Sequence, residues 1–172
     1  QLRYVGRAQD EFIQNGAGWK CSRHEIEKRH QNKPTLISHL EWVSHPKSSG
    51  LLALAWLGKD APSGDKSREV IREWFISKQL SWLQKGESPS IIRQFHVLSV
   101  GLLKGEPPLT RLGKIDRRKI SLNNEWLIEQ LTDPFISHPQ KIDIPDLYSS
   151  SGVLGRLFPR RSILLSALNL DW

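Results

Sequence analysis

The chain has 172 residues, 38% of them apolar and 25% charged, an ordinary globular balance that excludes a disordered or collagen-like polymer and lets one domain bury roughly two-thirds of its unfolded surface without a staple. Its single cysteine, Cys21, excludes an intrachain disulfide and a thiolate-rich metal site, and no apolar run approaches the ~18 residues of a membrane span. Lys and Arg number 25 against 18 Asp and Glu, a formal charge of +7 that favours anionic partners.

In chain order, residues 7 to 15 predict a short helix closed by the Gly16-Ala17-Gly18 break. Residues 22 to 31 predict a second, opened by a capping box in which Ser22 and Glu25 satisfy each other's backbone N–H groups. Pro34 suits the first turn of a third, with Leu36, Ile37, Leu40 and Val43 on one face, Trp42 beside them and His45-Pro46 ending it. Leu51 to Leu57 is apolar throughout and built of good helix formers, so it reads as a buried helix, with a core strand as the alternative. A polar loop over 58 to 66 precedes the longest helix, about 67 to 85, whose Ile71, Phe75, Lys78 and Trp82 share one line with Val70 and Trp74 alongside. Ser88-Pro89 starts another, in which Ile91, Phe95, Leu98 and Leu102 form a 4-3-4 stripe as far as the Gly105-Glu106-Pro107-Pro108 break.

Residues 109 to 120 form a basic segment whose Gly113 argues against a stable helix, so that a loop, a short strand or a broken turn is expected. A helix with an Asn cap follows near 123 to 132 and ends at Asp133-Pro134. The stretch 135 to 151 is rich in Pro, Asp and Ser and reads as an extended surface connection or docking arm; residues 152 to 161 and a final apolar helix close the chain. The resulting expectation is a compact, mainly α-helical single domain over 1 to 172 with irregular basic and Pro-rich connections. Because no Met occurs anywhere, this domain is expected to be an excerpt or processed part of a longer protein. No retained signal peptide is expected in its opening residues, and its site of action is expected to be intracellular.

Chemistry-bearing patterns are sparse. Cys21, His24, His30 and His39 could in principle hold zinc, but His24 and His30 are six residues apart and face differently on one helix, so ordinary packing is favoured and no metal is expected. Cys21 beside Lys20 and Arg23 could be reactive, although an incidental cysteine is the favoured reading. His96, close to an apolar face, reads as a half-buried histidine with one hydrogen bond. No nucleophile elbow or phosphate-cradling glycine loop occurs. No catalytic residue and no cofactor are therefore expected.

The basic clusters carry the functional expectation. Arg111, Lys114, Arg117, Arg118 and Lys119 surround a single acid, Asp116, and Arg156, Arg160 and Arg161 form a second group. Arginine's planar fork suits phosphate. Of the seven tryptophans, Trp56, Trp74, Trp82 and Trp126 fall in apolar patterns and read as core, whereas Trp19, between Gly18 and Lys20, could stack on an unpaired base or fill a partner's pocket. The expected function is a non-catalytic binding module that contacts DNA or RNA phosphates within an assembly of further protein subunits. The alternative is an adaptor or structural subunit recognising an acidic protein surface.

Overall fold

A computed structural model describes residues 12–133, 135, 141–145 and 147. The mainly α-helical expectation is corrected by a mixed four-stranded sheet with helices around it. The strands are β1 (Phe12–Gln14), β2 (Lys20–Ser22), β3 (Ile37–Ser44), β4 (Leu51–Leu57), β5 (Val97–Leu103) and β6 (Lys141–Asp143). The helices are α1 (Arg23–Arg29), α2 (Gly64–Gln84), α3 (Pro89–Phe95), α4 (Arg117–Asn123) and α5 (Glu125–Thr132). β1 and β2 make a small antiparallel hairpin; the main sheet runs β3-β4-β5-β6, with β4 and β5 parallel and the outer pairs antiparallel. Parallel neighbours need a crossover, and the segment from Ser63 to His96, carrying α2 and α3, supplies it.

Both faces of the sheet are covered. On one side Trp42, Ala53, Ala55, Val100 and Leu102 pack with Ile26, Ile71, Trp74, Phe75, Trp82, Ile92 and Phe95; on the other Leu52, Leu54 and Trp56 pack with Ile120, Leu127 and Leu131. Every β4 residue from Leu51 to Trp56 is therefore buried, which is why Leu51 to Leu57 shows no polar alternation. Its helix-forming composition yields to two-sided burial and to ladder bonds with β3 and β5. Gly101 of β5 faces Leu127 and Leu131, and a Cβ there would lie 2.9 Å from Leu127 Cδ2, so the missing side chain lets α5 approach the sheet.

Three further helical expectations are corrected. Gln14 ends a strand rather than a helix, and the predicted helix over 7 to 15 otherwise lies largely outside the described residues. The apolar residues after Pro34 belong to β3, where Trp42 and Val43 enter opposite core clusters as a two-residue period requires. The stripe beginning at Ile91 divides: α3 stops at Phe95 and Val97 starts β5, while Ile91 itself is 38% exposed and Ile92 is buried instead. The helix beginning after Ser22, the long α2 and the helix after Asn124 fall in segments expected to be helical, but α2 starts at Gly64, inside the expected loop, neither Ser22 nor Asn124 makes a side-chain cap, and Glu25 instead accepts from Arg29 Nε at 2.9 Å. Trp126 is 49% exposed, against the core role expected for it.

Close backbone approach fixes the β1–β2 hairpin against the main sheet. Gly16 N–H donates to His45 O at 2.8 Å, and a Cβ on Gly16 would fall 2.3 Å from Pro46 O. Gly16→Ala is expected to lower stability by about 1–3 kcal/mol because backbone must move. Gly58→Ala, whose Cβ would meet only Leu36 O at 3.7 Å, should stay within about 0.5 kcal/mol. Urea midpoints of the two variants check this; equal midpoints would refute the close-approach argument.

Candidate functional site

The basic segment that follows β5 folds into a tight hairpin. Leu109 and Ile115 form an antiparallel bridge, Thr110 N–H donates to Lys114 O at 2.7 Å, and Gly113 N–H returns to Thr110 O at 3.0 Å. Lys114 N–H donates in addition to Thr110 Oγ1 at 3.2 Å. Gly113 has φ of +73°, so the turn depends on a residue without a Cβ before Lys114. The result is an ordered finger with Arg111, Leu112 and Lys114 exposed at its end, Leu112 at 86%. Neither Arg111 nor Lys114 has an ion pair among the described residues. A hydrogen-bonded turn therefore presents the Lys114 ammonium to whatever faces the finger.

At the base of the finger Asp116 N–H donates to Pro108 O at 2.8 Å, and the Asp116 side chain caps α4 by accepting from Lys119 N–H at 3.1 Å. Ile115 packs beside the Leu52, Leu54 and Trp56 cluster. Arg117, the first residue of α4, turns inward, with Nε 3.4 Å from Glu41 Oε2. Glu41 sits on β3, is 4% exposed, and is also hydrogen-bonded to Arg23, the first residue of α1. Burial opposes ionisation of Glu41, but His39 and the guanidinium groups of Arg23 and Arg117 outweigh it and hold the carboxyl below the usual carboxylate range. A shallow groove of about 200 Å³ runs over this cluster between β1, β3 and α4. A larger opening, about 480 Å³, lies past the C-terminal ends of the parallel strands β4 and β5, bordered by Lys59, Ser63 and Lys104.

Of the sequence-predicted site residues, Arg111, Lys114, Arg117, Arg118 and Lys119 are gathered on the finger and α4, with Lys119 3.9 Å from Asp116. Trp19 belongs to a different hairpin, in the turn that Asn15 closes by bonding Trp19 N–H, and is half exposed. Arg156, Arg160 and Arg161 lie outside the described residues. The Cys-His pattern does not converge: Cys21 donates to Gln94 O at 3.6 Å, His30 is enclosed by aromatic rings and His39 lies beside Glu41. Among the described residues no group of three or more His, Cys, Asp or Glu could hold a metal, and no helix is long and apolar enough to cross a membrane. His96 is buried against Gln79. Glu41 and Arg23 escaped the sequence reading; the available signal was an acid between Leu40 and Trp42, anomalous once that segment is a strand.

No family model matches the chain, and no curated protein matches it. Among solved structures it is similar to the adenylation (A) domain of a carboxylate reductase from Mycobacterium chelonae, with a TM-score of 0.50 and 15% identity over 72% of this chain. The likeness is one of fold. The chain spans 19% of the length of that reductase chain. Sharing a mixed-sheet architecture with part of an adenylation domain corrects the expectation of a helical module, and the reading as a non-catalytic module for DNA, RNA or an acidic protein surface is given up with it. The basic run also differs from a free phosphate-gripping face. Arg117 points into Glu41 and Lys119 lies near Asp116, while Arg111, Lys114 and Arg118 are exposed with no ion pair among the described residues.

Proposed function

We propose that this chain forms part of an enzyme that activates a carboxylic acid with ATP, yielding an acyl adenylate and pyrophosphate, and that Lys114 is the cation it contributes. The ordered Lys114 finger, set on a fold shared with part of an adenylation domain, is the observation that carries the reading. In such a reaction a carboxylate oxygen attacks the α-phosphorus of ATP. The bond from that phosphorus to the bridging oxygen breaks, and pyrophosphate leaves with the electron pair. Two anions must approach each other and charge accumulates around phosphorus, so a preorganised cation is most effective there. An ammonium with three donors can bridge the acid and the phosphate oxygens. Exposed Arg111 on the same turn raises the local positive potential. The remaining walls of the nucleotide and acid pockets belong, in this reading, to a larger body against which the finger docks.

The test is acid-dependent exchange of labelled pyrophosphate into ATP by the full-length protein that contains this chain, across a panel of aliphatic and aromatic carboxylic acids. Exchange that requires one class of acid is the expected result. Absence of exchange with every acid, in a folded full-length protein that also fails to bind ATP, overturns the proposal.

A further inference from the structure

We propose that Glu41 and Arg117 are positioning residues for the Lys114 finger, an inference that rests on the adenylation reading for its catalytic consequence. The finger is exposed along most of its length, with Leu109 and Leu112 both in solvent. Its direction is therefore set at the base. Ile115 supplies one fixed point through packing. The second is Arg117, three residues after Lys114, whose guanidinium reaches across to the buried Glu41 carboxylate on β3. That carboxylate is itself immobilised, because Arg23 of α1 binds its other oxygen and also lies 3.5 Å from Trp42 O. α1 and α4 pack on opposite faces of the sheet, through Ile26 and Ile120 respectively. Glu41 thus joins both layers to the first turn behind the finger. Release of Arg117 frees the finger to pivot about Ile115, and a displacement of about 1 Å at a reacting group can cost on the order of 100-fold in rate.

The experiment uses the full-length protein with Arg117→Gln, Arg117→Lys and Lys114→Ala, the double variant Arg117→Gln/Lys114→Ala, and Ile26→Val as a destabilised control away from the finger. Arg117→Gln leaves Glu41 paired with Arg23, so the fold is expected to persist; Arg117→Lys returns a cation to the same place. Arg117→Gln should lower kcat for pyrophosphate exchange by about tenfold or more with little change in the KM for ATP. Arg117→Lys should recover part of the loss, and Ile26→Val should leave kcat unchanged. In the Lys114→Ala background Arg117→Gln should have no further effect, because its influence passes through Lys114. Backbone amide exchange at Asp116, whose N–H bonds Pro108 O at the base of the finger, reads the anchoring independently of activity, and Arg117→Gln should accelerate it relative to Ala53 in β4. If the wild-type protein shows no pyrophosphate exchange, the adenylation reading fails while the amide measurement still judges the anchoring. With an active wild type, an unchanged kcat in Arg117→Gln, an equal loss in Ile26→Val, or a further loss in the double variant overturns the positioning role. An unchanged Asp116 amide overturns the anchoring itself.

Discussion

Lys114→Ala in the full-length protein is expected to reduce acid-dependent pyrophosphate exchange by about 10²–10³, the loss that accompanies removal of one preorganised donor from a charge-accumulating transition state. Stability should hardly change. The side chain is exposed and makes no ion pair among the described residues, and the finger is closed by backbone groups and the Thr110 hydroxyl, all of which alanine retains. Lys114→Arg should recover only part of the rate, because a planar fork on a longer stem does not place its charge where a compact ammonium does. Gly113→Ala offers an independent check, since it strains the left-handed turn that orients Lys114 and should lower activity without removing any charge. The measurements are kcat and KM for exchange together with melting temperatures. An unaltered rate in Lys114→Ala, or a rate loss matched by unfolding, would remove Lys114 from the reaction.

The second large effect concerns acid stability. His30 is buried among Trp42, Trp74, Phe75 and Trp82, with ring centroids 4.5 to 6.1 Å away, and its Nδ1 lies 2.9 Å from Ile26 O. Burial lowers its pKa from 6.5 to about 4; the bond to Ile26 O opposes the shift, and Lys78, Arg29 and His96 add to it. Above pH 6.5 the imidazole is neutral in both the folded and the unfolded chain, and its titration costs the fold nothing. As pH falls from about 6.5 to 4 the unfolded chain takes up a proton that the folded chain refuses, so stability declines across that window and levels off below it. The accumulated loss is about 3 kcal/mol. Urea unfolding at pH 7.5, 5.5 and 4.5 should show the decline, and His30→Phe should flatten much of it. His45, also lowered chiefly by burial, adds a smaller slope of the same sign. Wild type and His30→Phe losing equal stability over this window would show that His30 is not the responsible group.

How much of this protein is legible in its sequence depends on whether a segment's partners lie close in the chain. The α1 boundary, the long α2, the loop before it and α5 could be read because helices satisfy their backbone locally and announce their ends with Ser, Asn, Gly and Pro. The finger was legible in part: Gly113 signalled a broken turn, and Arg111, Lys114 and Arg117 to Lys119 marked the segment as basic. Its meaning was not legible, because sequence weighs these cations alike. Only the fold turns Arg117 inward to Glu41 and leaves Lys114 in solvent.

The strands show the converse. β4 is uniformly apolar because α2 covers one face and α4 and α5 the other, and a seven-residue apolar run has no period with which to declare itself. In β3 the spacing of Leu36, Ile37, Leu40 and Val43 mimics a helical stripe, yet the buried alternation runs through Trp42 on one face and Glu41 and Val43 on the other. In β5 the stripe continued a real helix, α3, past the point where Val97, Val100 and Gly101 favour and fit a strand. By itself the sequence determined the basic charge, the lone cysteine, the helices with local start and stop signals and the glycine turn before Lys114, all of which depend on neighbours a few residues away. The tertiary structure alone decided the sheet and the Glu41–Arg117 anchor, because strand pairing and burial of a charge depend on residues tens of positions apart.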